Sequence, residues 1–578
     1  MITKMTKYSF ILLNGVKDEF LEQLQELGVV DITRSSKPVD AHSEELLARI
    51  GQAKDEIRII RSGSDAHLEE LVARRNSLAR LNEEIAPWGD YDKARADELR
   101  LAGLPIHFYS VLKKHFNEQW KEEYPLEVIC DEGKKVHFVI VGDDAKTFPL
   151  PEMTSPKATV RELADQIKSV EKDIEKYSKV LADKVQEIPA LESGINRLTD
   201  ELSLCLASAA GASAVEDTIT VFEGFAPTED DGRLAEAFDA MDALWISEAA
   251  KAEDNPPIKL KNNRFTRNFE VLTDMYGRPA YDGFDPTPYI SIFFLLFFAM
   301  CIGDMGYGLI LIIVGLLLKK VRSFASLSPL VVYLGIGTVA VGFFFHTLFS
   351  VDISAWECIP AGLKKIMVPA QIAGYDGTMV LALVIGIIHL LLAMIVKTVY
   401  ATKNKGFLNS LSTWGWTVFW TGLTVIGVIA LAGIIDKSVT KWAIIILGIV
   451  CAIGIFPLNN IHRNPLINVG SGLWDAYNMA TGILGDILSY LRLYALGLAG
   501  AMLGFAFNDL AKMTLGDGGF GWIPFILIVV VGHTLNIAMA ALGAFVHPLR
   551  LNFLEFFKNS DYEGVGVNYN PLKKNNNK

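Results

Sequence analysis

From Thr287 to about Phe557 the apolar residues come in long runs broken by short polar stretches, whereas from Met1 to about Pro286 they come singly, spaced among charges. A helix crosses the hydrocarbon core of a bilayer with roughly 20 apolar residues. The second half of the chain offers eight such runs: 287–302, 305–318, 328–349, 378–396, 411–434, 441–458, 475–508 and 521–547. The first two are short. GDMGYG at 303–308 reads as a tight turn between them, so they form two spans and not one. The last two stretches, 475–508 and 521–557, exceed one crossing and must tilt or run out past the interface.

The first half shows two other periods. Val160, Leu163, Ile167, Val170, Ile174, Tyr177 and Leu181, then Val185, Ile188, Leu191, Ile195, Leu198 and Leu202, advance by threes and fours and so form one stripe of a helix. Pro189 and the slip near Val185 predict a kink or register shift there. A looser stripe, Leu47, Ile50, Ile57, Ile60, Leu68, Leu71, Leu78 and Leu81, breaks at SGSDA. Two such helices separated by a globular stretch pair most simply as an antiparallel coiled-coil rod. Small α/β lobes surround them. Residues 6–33 read strand, helix, strand; 105–142 read strand, helix, two strands; 218–247 read strand, a helix from near Thr228, strand. None carries a phosphate loop or HExxH, and GKK at 133–135 lacks the following Ser or Thr.

Charge fixes an orientation. With eight spans and a cytoplasmic N-terminus, Lys319, Lys320, Arg322, Lys397, Lys403, Lys405, Arg463 and Lys558 fall inside. Lys364, Lys365, Lys437, Lys441 and Lys512 fall outside, near span ends. That bias satisfies the positive-inside rule, and merging the first two spans would invert every later loop. The N-terminus lacks a signal-peptide pattern, so the first half is expected on the cytoplasmic side, with the C-terminus. The net charge of −12 gives no reason to expect nucleic-acid binding. The 5 Cys, at 130, 205, 301, 358 and 451, have neither metal-ligand nor disulfide-framework spacing. No metal or cofactor is expected.

Candidate chemistry lies in the last two spans. Arg492 sits within DILSYLRLYALGLAGAMLGFAF, with no carboxylate within five residues. A guanidinium does not become neutral in a protein, and at bilayer depth it costs roughly 3 kcal/mol or more on insertion scales. Asp475, Asn478, Gly482, Gly485, Ser489 and Arg492 advance by 3, 4, 3, 4, 3, and small Ala495 and Ala499 continue that face. His533, Asn536, Ala540, Gly543, His547 and Arg550 repeat the spacing in the last span. Small-residue faces of this kind often pack helix on helix, with polar groups bonding a neighbour. For Arg492 that leaves the charge unanswered. Asp475 is about 25 Å away along the helix. Asp304 lies in the GDMGYG turn, Asp486 lies off the arginine face, and Glu555 follows Arg550 by five. Its counter-charge is expected from another span or another protein. His346 and His389 read as packing or pore-lining residues.

With these residues in view, the chain resembles the stator membrane subunit of rotary V-type ATPases, called subunit I in bacteria and archaea and subunit a in eukaryotes. The resemblance covers the whole length, through VFEGFAP, FEVLTDMYGRPAYDGFDPTP, GDMGYG, ILSYLRLYALGLA and AFVHPLRLNFLEFF in that order. It implies that Arg492 is the arginine facing the ring of proteolipid subunits, that Arg550 is the second arginine of the last span, and that Glu555 is the acid following it. His547 takes a place where relatives carry Gln or His. Ala540 departs from the eukaryotic pattern, in which a glutamate lines a half-channel, and Asn478 replaces an acid of some relatives. The outer path must then use other groups, and His533 and Asn536 are the candidates.

The expected fold class is an α-helical membrane protein of eight transmembrane helices, the last two long and tilted, with an N-terminal cytoplasmic antiparallel coiled-coil rod and α/β lobes. The expected domains are a cytoplasmic stalk over 1–286, an ion-translocating membrane domain over 287–558 and a polar cytoplasmic tail over 559–578. The implied function is a non-catalytic stator that forms the half-channels for H+ or Na+ beside the proteolipid c-ring, in a bacterial or archaeal cell membrane. The implied partners are the c-ring, peripheral-stalk helices on the lobes, and a central-stalk subunit at the rotor axis. The alternative is a stand-alone secondary ion transporter with a cytoplasmic regulatory domain. It would place its site at discontinuous helices between repeated halves, and no repeat is visible.

Overall fold

Two compact units interleave along the chain: residues 17–28, 34–211 and 572–578 form one, and residues 1–16, 29–33 and 212–571 the other. The computed structural model describes all residues except 36–37, 39, 90–92, 132–133, 143–147, 154–157, 215–217, 322–323, 355–359, 365–366, 370, 373, 432, 457–464, 516–520 and 576–578. Arg322, Lys365, Arg463, Cys358 and Gly133 therefore lie outside the described residues.

The strands are β1 (Met5–Leu13), β2 (Asp31–Ile32), β3 (Ile106–Leu112), β4 (Leu126–Cys130), β5 (Lys135–Val141), β6 (Ala212–Ala214), β7 (Ile219–Pro227) and β8 (Leu244–Ala249), besides two short hairpins. In the first unit lie α1 (Lys17–Leu27), α2 (Ala41–Ser62), α3 (Ala66–Ile85), α4 (Lys93–Leu101), α5 (Trp120–Glu123), α6 (Val160–Asp183) and α7 (Ile188–Ala210). Helix α2 pairs with α7 and α3 with α6, as the two stripes predict. Leu163, Val170 and Leu181 are buried from one side, Ile50, Ile57 and Ile60 from the other. Both breaks have local causes. Gly63 closes α2 in the left-handed region at φ 63°, and Asp65 then caps α3 by accepting from Leu68 N. Helix α6 ends at Asp183, and Pro189 sits in the first turn of α7, where its missing N–H costs nothing. The antiparallel sheet β3-β5-β4 encloses Tyr109, Val111, Val136, Phe138, Ile140 and Phe148. The helix expected before β4 is one turn, α5.

The second unit opens with an antiparallel sheet ordered β2-β7-β1-β8, with β6 also on β7. The lobes read separately at 6–33 and 218–247 thus share one sheet, in which Phe10 stands opposite Phe222. Helix α8 (Asp231–Phe238) covers it, with Phe238 edge-on to Phe10 at 5.0 Å. After α9 (Glu270–Tyr276) come α10 (Thr287–Ile302), α11 (Met305–Leu318), α12 (Ser328–Phe344), α13 (Ala361–Lys364), α14 (Gly377–Lys405), α15 (Leu411–Leu431), α16 (Lys437–Ile455), α17 (Pro465–Met513), α18 (Trp522–Arg550) and α19 (Phe557–Ser560).

Among the described residues, five helices are long and apolar enough to cross a membrane (α14 to α18), and α10, α11 and α12 are shorter apolar helices. The chain is a multi-pass membrane protein. Helix α17 is 49 residues long, about 74 Å at 1.5 Å per residue, and extends the expected seventh span at both ends. Helices α11 and α12 meet backbone to backbone. A Cβ on Gly335 would lie 2.9 Å from Ile312 N, and one on Gly308 2.7 Å from Val339 N, the close approach that small residues allow in membranes. Residues 561–571, expected as a polar tail, turn back along the chain. Ile258 N donates to Val567 O at 2.7 Å, Gly566 N to Arg278 O at 2.9 Å, and Asn570 N to Asp31 Oδ2 at 2.8 Å.

Candidate functional site

Arg492 lies on α17 where that helix packs against α10, α14 and α18. Two positions earlier, Tyr490 turns into the core, fully buried, and meets Nδ1 of the equally buried His389 at 2.9 Å. That ring stacks on Phe556 at 4.9 Å, so His389 is a packing residue. Arg492 itself is half-buried, and among the described residues no carboxylate forms an ion pair with it. Its charge and that of Arg550 both act on His547 of α18. Arg550 is exposed.

The face around Arg492 is left uncovered. Asp475, Asn478, Ala495 and Ala499 are exposed, and a Cβ on Gly485 would touch nothing within 4 Å. On α18, a Cβ on Gly543 would touch only the His547 ring, at 3.9 Å. Helix-on-helix packing within this chain therefore does not explain the small residues there. A second stripe of α17 does pack: Gly497, Gly500, Gly504 and Asn508. A Cβ on Gly497 would lie 2.9 Å from Met300 O of α10.

Polar groups gather on either side of Arg492. Toward the start of α17, Ser489 Oγ donates to Gly485 O at 3.2 Å and lies within reach of Glu555. Glu555 is buried, and its Oε2 has no partner. It sits in a π-helical turn, Leu551–Phe556, just after Pro548. Pro548 lacks the N–H that a regular helix would use, and such turns recur at functional sites. Asp486 is buried beside it, accepting from Asn559 Nδ2 at 2.8 Å with Lys558 Nζ at 3.6 Å.

Toward the end of α17, His533 and Asn536 face inward and belong to a larger network. Tyr307 Oη, from α11, is 2.7 Å from His533 Nδ1 and 2.9 Å from Asn536 Nδ2. His533 Nε2 is 3.0 Å from Asn508 Oδ1, and Asn536 Nδ2 also donates to Gly500 O at 2.9 Å. Asp304 holds the network's edge. It is buried and accepts four backbone N–H groups: Gly306 at 2.7 Å, Tyr307 at 3.2 Å, Phe349 at 2.9 Å and Ser350 at 2.6 Å. It is a cap and a loop anchor, and among the described residues it makes no ion pair with Arg492. Tyr307, Asn508 and Ser350 were not singled out from the sequence. The Gly-x3-Gly-x3-Asn spacing of 500, 504 and 508 was the legible signal for Asn508.

The structure thus separates the nine candidates. Ser489 and Glu555 meet on one side of Arg492, and His533 and Asn536 on the other. His547 and Arg550 stand in the last turn of α18, directly before the π turn, while Asp475 and Asn478 stay on the open face. A cavity of about 1080 Å³ lies elsewhere, lined by Thr228, Tyr281, Asp285, Tyr400 and Lys403. Among the described residues, no group of His, Cys, Asp and Glu could hold a metal ion.

The polytopic helical chain thus carries Arg492 without an ion pair among the described residues, on a face of α17 that the chain leaves open, with polar groups on either side. Comparison with known proteins shows what the chain is similar to. The model of the V-type ATPase 116kDa subunit family matches residues 131–326. The V-type ATP synthase subunit I of Borreliella burgdorferi is 24% identical over 99% of this chain and 100% of its own length. That of Treponema pallidum is 25% identical, again over 99% of this chain and 100% of its own. The A-type ATP synthase subunit I of Pyrococcus horikoshii is 32% identical over 57% of this chain, a match spanning 49% of that relative. A crystal structure of the cytoplasmic N-terminal domain of a subunit I aligns with 42% of the chain at 16% identity and a TM-score of 0.19, too low to support a statement about fold. The chain is thus similar to the V-type ATPase 116kDa subunit family over residues 131–326 and to V-type ATP synthase subunits I over nearly its whole length.

Proposed function

We propose that this chain is the non-catalytic membrane stator of a rotary V-type ATPase and that α17 and α18 form its ion path against a ring of proteolipid subunits. The observation that carries the reading is Arg492, half-buried without an acid partner on a small-residue face that the chain itself leaves open. A rotor carboxylate crossing lipid must be neutral, by protonation or by a bound cation, because an uncompensated buried charge is expensive. Opposite Arg492 the fixed positive charge favours its ionised form. In ATP-driven pumping the rotor site loads along one polar path, through Ser489 and Glu555, and releases its ion along the other, past His533 and Asn536, the directions reversing in synthesis. Arg492 between them blocks a direct leak. His547 and Arg550 border the inner path, and Asp475 and Asn478 line its approach on the open face.

The eight apolar helices support eight spans, and the distribution of lysines supports cytoplasmic termini. The paired helices of the first unit and its lobes would take peripheral-stalk helices and the central-stalk subunit, so that the chain resists rotation. Whether H+ or Na+ moves depends largely on ligands of the rotor.

Arg492→Lys and Arg492→Ala test the reading through ATP-driven ion uptake in inverted vesicles, with assembly followed by copurification. Uptake should be abolished by Arg492→Ala and at least severely reduced by Arg492→Lys, since lysine lacks the planar fork and can deprotonate when desolvated. Undiminished uptake in both assembled variants would reduce the arginine to a packing residue.

A further inference from the structure

The direction of every hydrogen bond around Tyr307 follows from the two ends of its network. A backbone carbonyl only accepts, so the Asn536 atom 2.9 Å from Gly500 O is the Nδ2 donor, and the same Nδ2 donates to Tyr307 Oη at 2.9 Å. The Asn508 atom 2.8 Å from Phe349 O is likewise Nδ2, which turns Asn508 Oδ1 toward His533. Nε2 of His533, 3.0 Å from that oxygen, must then carry a proton. In the neutral ring Nδ1 is a lone pair, and Tyr307 donates to it across 2.7 Å.

Ser350 is the loose end. It is buried at 8% exposure, and its Oγ has no hydrogen-bond partner, although it lies close enough to act on Tyr307. Gly504 provides its room, since a Cβ there would overlap the Ser350 hydroxyl. The next residues, Val351 and Asp352, are exposed. Asp304 is the carboxylate whose charge acts on His533, but its oxygens are taken by backbone N–H groups, so it is not itself the acceptor.

We propose that Tyr307 is a two-position proton switch that passes protons in either direction between Ser350 and His533, which rests on the ion-path reading above and takes its ion to be H+. A hydrated proton passes to Ser350 Oγ, Ser350 gives its own proton to Tyr307 Oη, and the original Tyr307 proton moves to His533 Nδ1. Three O–H bonds break, in hydronium, Ser350 and Tyr307. Two O–H bonds re-form on Ser350 and Tyr307, and one N–H bond forms on His533. The imidazolium then donates Nδ1–H to Tyr307 Oη and Nε2–H to Asn508 Oδ1, while the Tyr307 hydroxyl faces Ser350 Oγ. Tyr307, His533, Asn508 and Asn536 stay bonded in both states, and only the Ser350 hydroxyl changes from idle to engaged.

The test uses the full chain with 15N-labelled histidine, the His533 signals being those lost in His533→Gln. Wild type should show His533 as the neutral Nε2–H tautomer at alkaline pH, and Tyr307→Phe should turn it into a tautomer mixture. Ser350→Ala removes no hydrogen bond of regular geometry, so it decides the question even if Tyr307→Phe destabilises the helices. It should keep the tautomer yet slow ATP-driven uptake by the assembled complex about tenfold, the effect of one unmade buried hydrogen bond. An Nδ1–H tautomer in wild type, a His533 signal indifferent to Tyr307→Phe, or unchanged uptake in Ser350→Ala would each overturn the switch. Those failures are distinct from failure of the ion path, which is read from Arg492→Ala.

Discussion

Single residues divide into those whose chemistry is visible along the chain and those whose role depends on what folds against them. Arg492 is of the first kind, because a permanent charge in an apolar run has one physical meaning whatever surrounds it. His533 and Asn536 stood out by spacing, but their partners Tyr307, Asn508 and Ser350 did not, since 226 residues separate Tyr307 from His533. Asp304 shows the reverse case: as an intramembrane acid it invites a role in charge compensation, yet four backbone N–H groups already occupy it. Asp304→Ala should therefore act on stability first. It removes the cap of α11 and leaves the Phe349 and Ser350 amides unpartnered, at a cost of about 3 kcal/mol. Thermal unfolding of the solubilised chain measures this, and a loss below 1 kcal/mol would show that water replaces the carboxylate.

At the scale of elements, sequence period was a good guide wherever one stripe faced one partner. The helix pairs α2–α7 and α3–α6 end where Gly63, Asp65 and Pro189 require. What period could not reveal is the polar bond joining α3 to α6. Tyr177 Oη donates to Asp65 Oδ2 at 2.6 Å, and Asp65 also caps α3. The Tyr177 hydroxyl, and then the Leu68 amide, hold the Asp65 carboxyl below its usual range, while Asp65 holds the Tyr177 hydroxyl above its own. The depressed carboxyl gives stability present above about pH 4 and lost as pH falls through its folded value. The raised phenol gives stability present below about pH 10 and lost as pH rises through its folded value. Tyr177→Phe should thus expose the amides around residues 65–68 to faster hydrogen exchange at pH 7. The difference from wild type should shrink below pH 4. A difference that persisted unchanged at pH 3 would mean the ring's packing, not the hydroxyl, joins the helices.

At the scale of the molecule, the least legible feature is how far-apart segments of the chain meet. Local alternation predicts β1 and β7 as strands, but nothing local says that residues 5–13 and 219–249 belong to one sheet. The C-terminal residues are a stronger case, because their polar composition reads as a solvated tail. They are held instead by backbone contacts that three glycines permit. A Cβ on Gly277 would overlap Gly564 O, one on Gly566 would overlap Pro279 O, and one on Gly564 would lie 2.9 Å from the Tyr276 ring. Tyr562, mostly buried, adds a bond from its hydroxyl to Gly277 O at 2.7 Å, and the Tyr569 hydroxyl donates to Val29 O. Through this strap the end of α18, with Arg550 and Glu555, is joined to the linker at 256–285 and to β2. Gly566→Val should force the strap off Pro279 and break the bond from Ile258 N to Val567 O. Hydrogen exchange at Ile258 should then accelerate at least about tenfold, equivalent to about 1.4 kcal/mol. If Ile258 keeps its protection in Gly566→Val, the strap tolerates the clash and α18 is held by its membrane packing alone. If protection is lost, the last helix is braced from outside the membrane. On the stator reading proposed above, torque on Arg492 and Arg550 would then pass into the sheet as well as into neighbouring helices.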